Sequence, residues 1–188
     1  MIKIGLTGSI ASGKTTAGKI MSSKRGPLFS ADSVVANFYK KKSFKKLVAK
    51  KLKIELSKNI KIEIKEKIKR NKKVLKKLER IIHPLVRKEM FIFLKKNKNK
   101  KILFFEIPLL VENKLMKYFD TIIFIQSNKK LRLKRYISSG GNSKLFFLLN
   151  KQQLKDNKKM KFCDHIVVNN KSLAVLKKKV SNIVKLYE

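Results

Sequence analysis

Residues Gly8-Ser9-Ile10-Ala11-Ser12-Gly13-Lys14-Thr15 spell G-x-x-x-x-G-K-T, and their flanks decide what that string means. Ile2-Lys3-Ile4-Gly5-Leu6-Thr7 before it is short and apolar and reads as a buried first strand. Lys14 to Lys24 after it lacks proline and keeps Ala17, Ile20 and Met21 near one helical face. Strand, glycine-bearing loop and helix together make a phosphate cradle. Gly8 and Gly13 allow the tight turn that converges backbone N–H groups on an anion. The helix N-terminus adds partial positive charge at the same point. Lys14 is the expected contact of β- and γ-phosphates, and the Thr15 hydroxyl the expected ligand of a nucleotide-bound Mg²⁺.

A chain of 188 residues fits one domain with small insertions and can bury a real core. No apolar run approaches the roughly 18 residues of a membrane span. No signal or transit peptide is expected ahead of the first strand, and the single Cys163, which rules out an internal disulfide, fits a reducing cytoplasm, the expected location. Cys163 reads as a small hydrophobe, since no histidine–acid pattern supports a nucleophile. Lys and Arg number 49 against 12 acids, a formal charge of +37. On its own this suggests a nucleic-acid or anionic-membrane partner. The excess is almost all lysine, however, spread from Lys40 to Lys185 without an arginine strip or aromatic–basic interleaving. Most lysines therefore read as solvated helix faces, with no specific nucleic-acid partner and no membrane partner expected.

Further strands are expected at 28–32, 101–108, 120–126 and 165–168, and a closing helix at 172–186. Strands alternating with helices imply an α/β fold with a parallel five-stranded sheet covered on both faces. Residues 33–96 show helical spacing and no convincing strand. Phe44, Leu47, Val48 and Leu52 form one core-facing stripe; Val74, Leu75, Leu78, Ile81 and Ile82 form another. His83-Pro84 is expected to end that second helix, with Pro84 opening the next. The helical stretch reads as an inserted substrate cap.

Asp32 is the first acid after the phosphate loop. Ends of neighbouring parallel strands open into one crevice, where a carboxylate can deprotonate an attacking hydroxyl; a helix N-cap for a helix opening at Ser33 is the other reading. Glu106 closes the third strand and is either a holder of the Mg²⁺ water shell or substrate, or a solvated strand end. Arg132 and Arg135, ahead of Gly140-Gly141, suit a mobile lid whose cations meet phosphate, or a solvated helix face. His83 is either a structural hydrogen-bonding residue or a substrate contact, and His165 packs. Scattered His and Cys exclude a structural zinc site.

In this order the pieces resemble the dephospho-CoA kinase family, through almost the whole chain. Gly5-Leu6-Thr7-Gly8-Ser9-Ile10-Ala11-Ser12-Gly13-Lys14-Thr15-Thr16 is similar to its G-L-T-G-G-I-G-S-G-K-S-T opening, and Ala31-Asp32 to the second half of D-A-D. Ile81-Ile82-His83-Pro84-Leu85-Val86 resembles L-x-H-P-x-V, and Glu106-Ile107-Pro108-Leu109-Leu110-Val111-Glu112 resembles D-x-P-L-L-F-E. Asp164-His165-Ile166-Val167-Val168-Asn169-Asn170 is similar to the late A-D-x-V-I-x-N segment. The resemblance implies ATP- and Mg²⁺-dependent phosphorylation of the 3′-hydroxyl of dephospho-CoA, the last step of coenzyme A synthesis. It implies a three-layer, adenylate-kinase-like P-loop core (1–32, 100–128 and 163–188), a helical CoA-binding region (33–99) and a short lid (129–162). Carried over by position, Gly8, Ala11, Ser12, Gly13, Lys14, Thr15 and Thr16 hold ATP, with Asn169 near its adenine end. Asp32 is the base, Lys14 and Arg135 contact phosphates, and Asp32, His83 and Glu106 meet the substrate. A monomer is expected.

The chain departs from the family pattern at several points. Ser30 replaces the first aspartate of D-A-D, and Ser9 and Ala11 replace loop glycines. Asn37, Ser139 and Leu149 stand where arginines are usual; Lys144 or Lys151 offer point charges without a bidentate fork. Two rival readings stay open: another P-loop small-molecule kinase, such as a nucleoside monophosphate kinase, and a basic nucleic-acid-binding protein with a P-loop remnant. The first is disfavoured because residues 33–80 contain only Arg70 and Arg80 as arginines.

Overall fold

Five apolar runs become five parallel strands: β1 (Ile2–Thr7), β2 (Leu28–Ser30), β3 (Ile102–Glu106), β4 (Thr121–Gln126) and β5 (His165–Val168). They lie in the order β2-β3-β1-β4-β5, so the first strand is central and flanked on both sides. This computed structural model describes residues 1–56, 59–71 and 73–188. Its contacts divide into two compact units, Met1–Ser30 with Asn97–Glu188, and Ala31–Lys96.

In the first unit, the strand registers bring the chemistry-bearing ends level. Leu6 on β1 and Ser30 on β2 both stand opposite Glu106 on β3. Thr7 stands opposite Phe124 on β4, and Gln126 opposite Val168 on β5. One face of the sheet buries Ile4, Leu6, Ile102, Phe104, Ile123, Ile125 and Val167. Ala17 and Met21 of α1 (Lys14–Ser22) cover it, together with Leu176, Val180 and Val184 of α9 (Leu173–Val184). Each such side chain withdrawn from water contributes about 1.5–3 kcal/mol before the entropy of ordering is charged. On the opposite face Phe105 meets Phe29 at 5.9 Å and Phe119 at 5.3 Å between ring centroids. Three helices connect β4 to β5: α6 (Lys129–Ser138), α7 (Ser143–Gln152) and α8 (Asp156–Met160).

The second unit is helical: α2 (Ala31–Phe38), α3 (Lys42–Leu52), α4 (Ile60–Arg70) and α5 (Lys73–Lys96). Ser57, Lys58 and Lys72, within the expected helical stretch, lie outside the described residues. Ile60, Ile64 and Ile68 repeat every fourth residue and are all buried, the signature of a core-facing stripe. The stripe on α3 is Phe44, Val48, Ala49 and Leu52, whereas Leu47, expected within it, is 40% exposed.

Pro84 does not break the second expected helix. It lies inside one 24-residue α5, although it cannot donate to the carbonyl of Arg80 and disfavours helical backbone at His83. Buried residues flank it, Val74 and Leu78 before and Met90 after. Packing along the whole helix outweighs a local penalty of about 3 kcal/mol. No helix among the described residues is long and apolar enough to cross a membrane.

Candidate active site

Gly13 is the cap residue of α1, with φ 96°, and no side chain caps the helix. The first-turn N–H groups therefore keep their donors directed into the loop, where an anion can accept them. A Cβ on Gly13 would stand 2.3 Å from the amide nitrogen of Asn169, so this position takes no side chain. Two positions earlier Ala11 adopts φ 57°, the left-handed region that glycine occupies at little cost. An alanine held in this conformation is strained.

Lys14 is buried, and its ammonium donates to the Ser9 carbonyl at 2.9 Å. Thr15 and Thr16 follow in the same turn and are exposed. The Thr15 hydroxyl donates to Glu106 Oε1 at 2.5 Å. Glu106 itself is 1% exposed, and its second oxygen, Oε2, is buried without a partner in the protein. A hydroxyl beside a buried carboxylate with one bare oxygen suits a hard cation or its water. The strand-end acid is thus engaged and buried, not solvated.

Asn169 follows β5 and closes the loop from the other side. Its Nδ2 donates to the Ser12 carbonyl at 2.9 Å, and its own N–H reaches Gln126 at 2.7 Å. Arg135, midway along α6, donates to Asn169 O at 3.2 Å, Ser127 Oγ at 3.2 Å and Ser12 O at 3.5 Å. Its guanidinium therefore rests against the base of the phosphate loop. Burial lowers its pKa from the ordinary value. Arg132 is almost fully buried and donates to Ser127 O, Ile10 O and Asn150 Oδ1 at 3.1, 3.3 and 2.8 Å. Burial lowers its pKa too, with Asp156 acting in the opposite direction.

The remaining candidates belong to the helical unit. Helix α2 begins at Ala31, directly after β2, so Asp32 lies in its first turn and is exposed. The expected helix start at Ser33 is two residues late. The Asp32 carboxylate therefore interacts with the positive helix end from inside the turn, not as the flanking cap. His83 on α5 is half-buried and lines a cleft of about 540 Å³ with Arg87, Lys88 and Phe91. Burial, then the Arg87 charge, lowers its pKa from the ordinary value. His165 is hydrogen-bonded to the Tyr187 hydroxyl at 2.7 Å. The Cys163 thiol is pushed up to about 12, by burial first and Asp164 second, which keeps it protonated and un-nucleophilic.

The phosphate loop thus gathers Gly8, Ala11, Ser12, Gly13, Lys14, Thr15, Glu106, Arg135 and Asn169 through contacts within one unit. Three contacts at or behind the loop escaped the sequence reading. The Ser9 hydroxyl donates to the Asp156 carboxylate, the Ile10 N–H to Gln153 Oε1 at 3.0 Å, and Lys159 pairs with Glu112 at 2.6 Å. Only the acid ending the Pro108-Leu109-Leu110-Val111-Glu112 string gave a signal.

Comparison with known proteins points the same way. The family model described as dephospho-CoA kinase matches residues 2–174. A dephospho-CoA kinase of Fusobacterium nucleatum is 36% identical over 182 residues, covering 94% of both chains. Among solved structures, dephospho-CoA kinase from Campylobacter jejuni superposes with TM-score 0.65 at 26% identity, covering 97% of this chain and 95% of that one. A crystal structure of a Thermus thermophilus protein shares the fold with TM-score 0.78 at 23% identity, covering 100% and 98%.

Proposed function

The chain belongs to the dephospho-CoA kinase family, and we propose that it transfers the γ-phosphoryl group of ATP to the 3′-hydroxyl of dephospho-CoA, giving coenzyme A and ADP. The observation that carries this reading is the phosphate loop itself. An uncapped helix N-terminus, a buried lysine and a threonine bonded to a buried acid meet in one turn.

In this reading Gly8, Ala11, Ser12, Gly13 and Thr16 contribute loop and first-turn amides to the phosphates. Lys14 places its ammonium against the β- and γ-phosphates as charge shifts toward the leaving oxygen. Asp32 takes the proton of the acceptor hydroxyl while that oxygen bonds to the γ-phosphorus and the bond to ADP breaks. Arg135 and Asn169 keep the floor of the loop in place beside the nucleotide. His83, with Arg87 and Phe91, offers the acceptor a mixed cationic and apolar face.

Thr15 and Glu106 are the residues that would hold Mg²⁺, and the bare Glu106 Oε2 fits that use. Bound there with the nucleotide, the ion supplies neutralisation of phosphate charge. Among the described residues no cluster of three or more His, Cys, Asp and Glu forms; an ion held by Thr15 and Glu106 would take its remaining oxygen ligands from the nucleotide and water.

A coupled assay of ADP release tests the whole reading. ATP turnover should rise sharply on adding dephospho-CoA and respond little to nucleoside monophosphates. Stimulation by a monophosphate instead, or by neither acceptor, overturns it.

A further inference from the structure

Glu112 has no part in the steps above, yet it is held from two sides. It lies in the turn after β3, and its side chain is only 15% exposed. Its Oε1 stands 2.6 Å from the ammonium of Lys159, whose side chain is fully buried. The same oxygen accepts the Leu154 N–H at 3.2 Å. An ion pair this buried persists only while both charges stay in register, because either one alone is strongly unfavourable. Glu112 thereby pins both ends of the stretch from Leu154 to Lys159.

That stretch and its immediate neighbour grip the tip of the phosphate loop. Gln153 Oε1 accepts the Ile10 N–H at 3.0 Å, and the Asp156 carboxylate accepts the Ser9 hydroxyl. Arg132 ties the Ile10 carbonyl to Asn150 on the preceding helix. The loop needs such support, since Ala11 is held in a left-handed conformation. Amides that converge on a phosphate bind it well only if their directions are fixed beforehand.

We propose that Glu112 is a positioning residue for the phosphate loop, acting through Lys159 and Leu154 on Gln153 and Asp156. The proposal rests on the loop being the ATP site. Loss of the contact should show as weaker nucleotide binding with little change in the rate of the bound complex.

The test is calorimetric titration of the full chain with ATP in the presence of Mg²⁺. Gln153→Ala and Asp156→Ala, which each remove the acceptor side chain, should each weaken binding about fivefold, the worth of one hydrogen bond. Glu112→Gln should weaken it at least as much, and Glu112→Gln combined with Asp156→Ala should add little further, because both act on one contact path. Where Glu112→Gln alone fails to fold, Glu112→Leu with Lys159→Met removes both buried charges and the Leu154 acceptor together, and so still cuts the anchor. Tyr187→Phe is the control. It breaks the bonds to His165 and Thr121 at the opposite, N-terminal edge of the sheet, so it should lower the Tm and leave ATP affinity unchanged. Wild-type affinity in the Gln153, Asp156 and Glu112 variants, or full additivity of the Glu112 and Asp156 effects, overturns the proposal. A wild-type chain that binds no ATP overturns the reading of the site itself, a distinct result.

Discussion

Thr15 and Glu106 meet across the first turn of α1, hydroxyl to carboxylate at 2.5 Å, with the other carboxylate oxygen buried and bare. Their register follows from the sheet, because Glu106 ends β3 opposite Leu6, just ahead of the loop. Glu106→Gln keeps the shape and the acceptor for Thr15 but removes the charge. It should lower kcat about 10²-fold and raise the Mg²⁺ concentration needed for half-maximal rate. The neutral amide is easier to bury than an incompletely paired carboxylate, so the Tm of the ligand-free protein should stay level or rise. Unaltered Mg²⁺ dependence would assign Glu106 a packing role.

Asp32→Asn separates chemistry from helix support. As a general base Asp32 acts on the acceptor, so kcat should fall about 10²-fold or more with ATP affinity nearly constant. Loss of one charge in the first turn of α2 should lower stability by only about 0.3–1 kcal/mol. A lower Tm with an intact rate would make Glu106 the next candidate for the base.

Ala11 offers a gain. Glycine at φ 57° removes a steric penalty of about 1–2 kcal/mol, partly offset by the greater freedom of glycine in the unfolded chain. Ala11→Gly should therefore raise the Tm by a few degrees at most. Calorimetry showing a fall would mean that Cβ contacts of Ala11 outweigh the strain.

For Arg135 the geometry changes what substitution should do. Three acceptors on Ser12, Ser127 and Asn169 share the guanidinium, and a lysine cannot span them. Arg135→Lys should raise KM for ATP about tenfold and lower the Tm together, whereas a group meeting only the transferring phosphate would change kcat alone. Steady-state kinetics beside a melting curve decides between the two.

His83 gives a pH dependence. Burial lowers its folded-state pKa, so the unfolded chain binds the proton more readily. Its contribution to stability is complete above the unfolded value of about 6.5 and is lost as pH falls from there toward the lower folded value. The Tm of the wild type should decline over that interval, and His83→Gln should flatten the decline. Parallel curves for the two proteins would exclude His83 as a source.

Local signals carried most of this architecture. The strand–loop–helix opening needs only neighbouring residues, and continuous apolar runs such as Ile102-Leu103-Phe104-Phe105 mark central parallel strands. Pro84 went the other way, because its local preference yielded to packing on both sides of α5, which a single-sequence pattern cannot weigh. The Ser9–Asp156 and Ile10–Gln153 contacts were invisible for a different reason. They join residues 147 and 143 positions apart, and neither pair has a spacing that a motif would flag. Arg135 was visible as a charge, but its acceptors are mainly backbone carbonyls, which no side-chain pattern reveals.

The Lys14 ammonium has a consequence for turnover. It donates to the Ser9 carbonyl at 2.9 Å, so in the proposed reaction a phosphate would share the three-donor ammonium with a backbone acceptor. A bare buried ammonium would cling to any anion, product included. In the proposed reaction a departing nucleotide would leave the lysine with a backbone acceptor already in place and not bare.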